Sequence, residues 1–375
     1  MLGLIIKYRG SCYGLRQYFN FNRPRIRDIR RGPYAHHRAE NKKDAFHTIP
    51  PYVSHHRADP PEPWVPPVPV RSLPLPRLAL YEAWHALHRP LVEHATGPVD
   101  LVHATAVAVP GSRAPLVVTV HDLAFLDDPT HATRHGLRFF LRGTELTRRR
   151  ARLVIVPSEA TARECGVIGI ERDRIRVVPW GVDQARASLE QVAAVKADHH
   201  LDRPYVLFCG TVEPRKNLPR VVEAMTRISH DVELIFVGPD GWNEDLTALL
   251  SLLPGRARSL GFVPEAQLGP LYAGASVVVY PSLREGFGLP ALEAMAQGAA
   301  VVTSRGTATE EVAGDAAVLV DPTSIDEIAE GIDRVLGDPA LAGELGARAR
   351  ARAETYTWER TASMTVAAYR DALAR

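Results

Sequence analysis

The sequence predicts an α/β protein: two parallel sheets covered by helices, set as two domains facing one cleft. Three observations carry that expectation. The chain has 375 residues, more than one hydrophobic core usually holds. From about residue 98, short apolar runs alternate with helical stretches, the pattern of a parallel sheet flanked by helices. Three chemically distinctive loops each follow such an apolar run, at the strand ends where ligands of these sheets sit.

In order along the chain, residues 99–102 and 116–120 read as strands buried on both faces, because their apolar runs are continuous. A helix is expected over 134–150 and a strand over 153–156. Ser158 is a plausible N-cap for a short helix ended by Gly166. Residues 175–178 form the next strand, leading into Pro179, Trp180 and Gly181. The less patterned stretch 183–202 is read as the crossing into the second domain. There, 205–209, 233–237, 276–280, 300–303 and 318–320 read as strands. Helices near 218–228, 243–252, 265–273, 290–297 and 324–336 separate them. One long helical pattern, 339–372, closes the chain. The expected division is 1–75 atypical, 76–182 first domain, 183–345 second domain, and 346–375 a helix returning to the first.

The segment from Glu285 to Ser304, EGFGLPALEAMAQGAAVVTS, is the most informative. Glu285 and Glu293 flank a Gly-Phe-Gly turn, and Gly286 and Gly288 let the backbone come close to a ligand. Pro290 suits a helix start. The free N–H groups and positive dipole end of that helix favour an anion, a diphosphate above all. The two carboxylates can accept hydrogen bonds from sugar hydroxyls. Taken alone, the same residues also fit a tight strand-to-helix turn with two solvated glutamates. The loop GTVEPRKNL, Gly210 to Leu218, brings Arg215 and Lys216 to a neighbouring strand end, and VVTVHDLAF places His121 at a third.

E-G-F-G-L-P followed by L-E-A-M-A-x-G resembles the E-x7-E signature of retaining GT-B glycosyltransferases, the GT4 family in particular. GTVEPRKNL, VVTVHDLAF and VVPWGVD (Val177 to Asp183) agree with it in order, and the resemblance carried by these motifs spans roughly residues 98–375. It implies a GT-B fold of two Rossmann-like domains and transfer of a hexose from a nucleoside-diphosphate sugar with retention. GDP-mannose is the first expectation, because GTVEPRKN looks like mannosyltransferase-type members. The resemblance also implies site roles. Glu285 contacts hydroxyls of the transferred sugar and Glu293 the ribose. The backbone of Phe287, Gly288 and Leu289 faces sugar and phosphate. Lys216 matches the family's lysine. Many members carry Arg where this chain has Thr211, and Arg215 compensates. His121 positions the transferred sugar. Gly261, Phe262 and Val263 line the nucleobase pocket. No protein nucleophile is nominated. Asp122, Tyr280, Ser282 and Asn217 are read as local capping or packing residues. Two other readings remain, a nucleotide-sugar epimerase of the same architecture and a non-catalytic nucleotide-binding homologue.

Composition narrows the setting. Hydrophobic residues make up 46% and charged residues 23%, ordinary for a soluble globular protein. No apolar run reaches the ~18–20 residues needed to span a bilayer. Cys12, Cys165 and Cys209 are too few and scattered for a disulfide framework or zinc site. The expected location is cytoplasmic, at the inner membrane face, with a glycan or lipid-linked acceptor and no nucleic acid partner. No cofactor or metal is expected, since fixed cations can hold the leaving-group charge.

Residues 1–60 hold 12 Lys/Arg against 4 Asp/Glu, a basic end suited to anionic lipid or to an unstructured tail. Residues 50–76 carry 10 prolines, which favours an extended or disordered segment. His36, His37, His47, His55 and His56 are too irregularly spaced to suggest a metal. Residues 1–70 do not read as the family's first βα units. They fit a divergent replacement or a shifted reading frame in GC-rich DNA. On the second account the first domain lacks part of its sheet, and the polypeptide is poorly stable or inactive.

Overall fold

The computed structural model describes residues 3–6, 52–54, 70–127, 134–239, 241 and 245–375. Two sheets form, each with its own core. The first contains β1 (Gly3–Ile6), β2 (Tyr52–Ser54), β3 (Val70–Ser72), β4 (Leu101–Ala104), β5 (Leu116–Thr119), β6 (Leu153–Val156) and β7 (Ile175–Val177). Their order is β3-β2-β1-β4-β5-β6-β7. The second contains β8 (Tyr205–Cys209), β9 (Glu233–Val237), β10 (Ala257–Ser259), β11 (Val277–Tyr280), β12 (Val301–Ser304) and β13 (Val318–Val320), in the order β10-β9-β8-β11-β12-β13. All pairs of the second sheet are parallel. In the first, β4 to β7 are parallel, whereas β1 is antiparallel to both neighbours. Every residue of β4, β5 and β6 is buried, as helices on both faces require.

The unordered basic and proline-rich segment expected over 1–75, with its five histidines, falls largely on residues outside the described ones. Its described parts supply the strands β1, β2 and β3, which extend the first sheet beyond β4 and leave β3 at the edge.

Three local expectations are corrected. The helix Glu159–Val167 is capped by Ser158, whose Oγ accepts from the Thr161 N–H at 3.1 Å. Gly166 does not end it; the left-handed turn comes at Gly169, φ +84°. The stretch 183–202 contains a helix, Leu189–Asp198, opened by a capping box between Ser188 and Gln191. Only Val195 of that helix is buried, so no apolar face announces it.

The closing pattern is two helices, Pro339–Ala353 and Trp358–Ala374. Thr357 caps the second, its hydroxyl accepting from the Arg360 N–H at 3.2 Å. The break lets the two serve different sheets. Leu345, Ala349 and Ala353 join the cores of the second domain. Ala362, Val366, Tyr369 and Ala372 pack on Leu101, Val117, Leu153 and Ile155 of the first.

Candidate active site

β8 ends at Cys209, and the chain then makes a short 3-10 turn, Pro214–Lys216. Asn217 follows at φ +66°, its amide donating to the carbonyls of Pro281 (2.9 Å) and Pro322 (2.6 Å). This anchor fixes Lys216 against the end of β11. Its Nζ lies 2.5 Å from Glu285 Oε1 and donates to the Tyr280 hydroxyl. Tyr280 donates to the same Oε1 at 2.8 Å, and Arg215 approaches it at 3.0 Å. Arg215 also pairs with Glu213 at 2.8 Å. Two cations, two carboxylates and a phenol thus form one network, with all three contacts to Glu285 falling on Oε1.

The Glu285 side chain is only 9% exposed. Burial alone would raise its carboxyl, but the charges of Lys216 and Arg215 outweigh that and hold it at about 2. Glu213 shows the reverse balance: burial raises it despite Arg215 and Lys216. Burial works against the Arg215 charge, yet Glu285 and Glu213 hold its guanidinium above the ordinary value.

The Gly-Phe-Gly turn needs its glycines for two different reasons. A Cβ on Gly286 would lie 1.8 Å from the His121 carbonyl oxygen, so the two backbones touch. Gly288 has φ +100° and N-caps the helix Leu289–Gln297, with no side chain capping it. Phe287 between them is 2% exposed. Its ring packs on Trp180 (centroids 5.4 Å) and Tyr356 (5.9 Å), and Gly286 and Gly288 on either side of it are buried as well.

A cavity of about 790 Å³ lies between the sheets. Leu289, Glu293 and Gln297, spaced four residues apart on one helix face, line it from the second domain, with Glu265 and Tyr272. His103, Thr119 and His121 line it from the first, and Trp180 and Trp358 flank it. The partly buried Glu293 accepts from the Tyr272 hydroxyl at 3.2 Å. Burial pushes its carboxyl up to about 7, Tyr272 opposing and Glu265 assisting. Glu285 is thus not a solvated glutamate, while Glu293 is partly buried in the cavity wall.

His121 Nε2 lies 2.7 Å from the Thr105 carbonyl oxygen. A carbonyl only accepts, so Nε2 carries the hydrogen and Nδ1 is an acceptor. Burial lowers the pKa of this ring, and Nδ1 has no hydrogen-bond partner.

The structure therefore divides the expected site residues. Lys216, Arg215 and Glu285 converge in the ionic network, and Gly286, Phe287 and Gly288 form the adjoining turn. His121, Leu289 and Glu293 line the cavity, whereas Lys216, Arg215 and Glu285 are not among its lining residues. Thr211 opens the β8 loop beside Gly241. Val263 is 7% exposed and joins the core that contains Phe287, while Phe262 beside it is 77% exposed. Asp122 makes the local bond expected of it, accepting from the Ala124 N–H, whereas the Asn217 side chain caps no helix and donates instead to the distant carbonyls of Pro281 and Pro322. Tyr280 is no mere packing residue, because its hydroxyl joins Lys216 to Glu285. Sequence reasoning also missed Glu213, although it lies within the quoted loop. Tyr272 and Trp358 carry no local signal.

Comparison with known proteins agrees with this fold. The family model "Glycosyl transferases group 1" matches residues 192–352, and "Glycosyltransferase Family 4" matches 33–186. The resemblance thus reaches back to residue 33, beyond the span that the motifs carry. The O-antigen chain mannosyltransferase B of Escherichia coli is 39% identical over 173 residues, covering 44% of this chain and 45% of the relative. The MMP alpha-(1->4)-mannosyltransferase of Mycolicibacterium hassiacum is 35% identical over 222 residues, 55% of this chain and 50% of the relative. The chain spans about half the length of the curated relatives it matches.

Among solved structures, Anabaena HepE in complex with UDP and glucose superposes with TM-score 0.64 at 22% identity, covering 80% of this chain and 85% of that one. The sucrose-phosphate synthase of Thermosynechococcus elongatus gives 0.64 at 24%, with 80% of each chain covered. These two likenesses concern the fold. The chain belongs to the GT4-type glycosyltransferases, with the two Rossmann-like domains of the GT-B fold. Among the described residues no helix is long and apolar enough to cross a membrane.

Proposed function

We propose that this protein transfers a hexose from a nucleoside-diphosphate sugar to a glycan or lipid-linked acceptor, with retention, at the inner face of the membrane. Mannose from GDP-mannose is the favoured donor; the two mannosyltransferase relatives support that choice. The observation that carries the reading is the convergence of Lys216 and Arg215 on Glu285, beside a helix N-terminus that no side chain caps.

The diphosphate sits against the turn and the start of the Leu289–Gln297 helix, whose dipole favours anions. As the bond between sugar C1 and phosphate oxygen breaks, negative charge grows on the departing diphosphate. Lys216 and Arg215 are already in place to stabilise it, so no reorganisation is needed at that moment. Glu285 Oε1 stays anchored by its three donors, and Oε2 takes a sugar hydroxyl. Glu293 accepts from the ribose within the cavity wall. His121 lines the cavity from the first domain and positions the transferred sugar.

Calorimetric titration with GDP, UDP and dTDP sugars tests the donor. Lys216→Ala is expected to weaken binding of the preferred sugar nucleotide by ~1–3 kcal/mol, the cost of leaving buried polar groups unmet. Unchanged affinity in a folded variant removes the assignment. Product analysis with and without acceptor separates transfer from epimerisation.

A further inference from the structure

The sugar-side turn is held by the opposite domain. Gly286 carries the turn's first carbonyl, and that oxygen accepts two hydroxyl bonds, from Ser158 Oγ at 2.7 Å and Thr161 Oγ1 at 3.2 Å. Both donors are fully buried, at the start of the Glu159–Val167 helix beyond β6. The same helix end is met from the other side. Glu311, on the second-domain helix Ala308–Ala313, accepts from the backbone N–H groups of Glu159 (2.9 Å) and Ala160 (3.2 Å). Arg284, two residues before Gly286, pairs with Glu164 of this helix at 3.1 Å.

We propose that this helix start is a positioning clasp: Ser158 and Thr161 set the Gly286–Phe287 peptide plane, and Glu311 holds the clasp together. The inference rests on the reading of the Gly-Phe-Gly turn as a donor site. In a trans peptide the carbonyl and the following N–H point in opposite directions within one rigid plane. Two hydroxyls that fix the Gly286 carbonyl therefore fix the direction of the Phe287 N–H, a backbone donor of that turn. Capping the helix needs only that Ser158 accept from Thr161 N–H, as it does at 3.1 Å. Its single hydroxyl hydrogen remains to donate across to Gly286, which an acceptor-only cap lacks. The contact is a close one, since Gly286 and the His121 carbonyl leave no room for even a Cβ. Ser158 and Thr161 are thus positioning residues, acting on the donor through the turn. Glu311 satisfies two of the helix's otherwise open donors with charge of the favoured sign.

The experiment uses the full chain with Ser158→Ala, Thr161→Val and Glu311→Gln, and Ser158→Thr as rescue. Backbone hydrogen exchange over 286–289 is read without nucleotide. Nucleoside-diphosphate affinity and kcat are read on the donor that the calorimetric screen selects. Ser158→Ala is expected to speed exchange of the turn by ~10-fold, since a tethered segment opens more readily once released. It should lower kcat by ~10–100-fold through misplacement of the turn, with nucleoside-diphosphate affinity within about twofold because the cations are untouched. Thr161→Val keeps the helix cap and should show a smaller change in the same direction. Glu311→Gln probes the clasp from the other domain should Ser158→Ala fail to fold, and Ser158→Thr should restore both readouts. Exchange unchanged in folded Ser158→Ala and Glu311→Gln, or a loss confined to affinity, overturns the clasp. If the parent protein binds no sugar nucleotide, the donor reading fails, and the exchange measurement still decides whether the turn is held from the first domain.

Discussion

Glu285 and Glu293 stand eight residues apart on one loop-and-helix segment, yet they occupy opposite electrical environments. Both carboxyls are penalised by burial. At Glu285, Lys216 and Arg215 reverse the penalty and hold the group at about 2. At Glu293, the favourable partner among the described residues is the Tyr272 hydroxyl, and the group rises to about 7. Two residues of one type thus do different work: one is a fixed anion inside an ionic network, the other a carboxyl that titrates near neutrality in a cavity wall. Neighbouring charge, not residue type, separates them.

The largest test removes the fixed anion. Glu285→Ala leaves Lys216 without its carboxylate partner and Arg215 with Glu213 and the more distant Asp122. Breaking a buried ion pair from one side typically costs ~3–5 kcal/mol, and urea denaturation should register a loss of that order together with loss of turnover. A loss below about 1 kcal/mol, the range of exposed pairs, would mean that the network is not buried in solution and would erase the contrast.

The next test sets the two pH dependences against each other. Glu285 is lowered from an ordinary value of 4.5 to about 2. Its contribution is fully present above pH 4.5 and is lost as pH falls from 4.5 toward 2. At 1.36 kcal/mol per unit this amounts to about 3 kcal/mol. Glu293 is raised from 4.5 to about 7, so the folded state holds a proton that the unfolded state releases. Its contribution is present below pH 4.5 and is lost as pH rises from 4.5 to 7, again on the order of 3 kcal/mol. Glu293→Gln should therefore flatten stability between pH 4.5 and 7 and leave the acid limb intact. Identical slopes in parent and variant would show that Glu293 is not the titrating group.

Much of this arrangement is legible in the sequence, and the remainder is hidden for physical reasons. β6, β8 and β9 stand at the residues expected of them, because a strand buried on both faces writes a continuous apolar run. The turn, Lys216 and Arg215 are legible because their chemistry is compressed into two short segments. The helix Leu189–Asp198 is not, since one buried residue leaves no periodic stripe. The break between Ala353 and Trp358 is also illegible. It answers to Gly181, where a Cβ would lie 2.3 Å from the Trp358 nitrogen, a contact between residues far apart in sequence. Tyr272 and Glu293 meet across two helices, and Ser158, Glu311 and Gly286 across two domains. No local pattern can announce such pairs.

The smallest test sharpens the contrast at Glu293 itself. Tyr272→Phe removes the hydroxyl that lies 3.2 Å from the carboxylate and leaves the ring in place. A hydrogen bond to the charged form favours that form, so its loss should move the Glu293 carboxyl further above 7. The change should cost about 1–2 kcal/mol at alkaline pH, where the carboxylate is charged, and little at pH 5, where it is protonated. Sugar-nucleotide affinity should follow the same titration: ribose hydroxyls donate best to a carboxylate, so binding tightens as pH rises through 7 in the parent and at higher pH in Tyr272→Phe. An unshifted binding profile would separate Glu293 from the ribose, while the Glu285 network would keep its own acid limb.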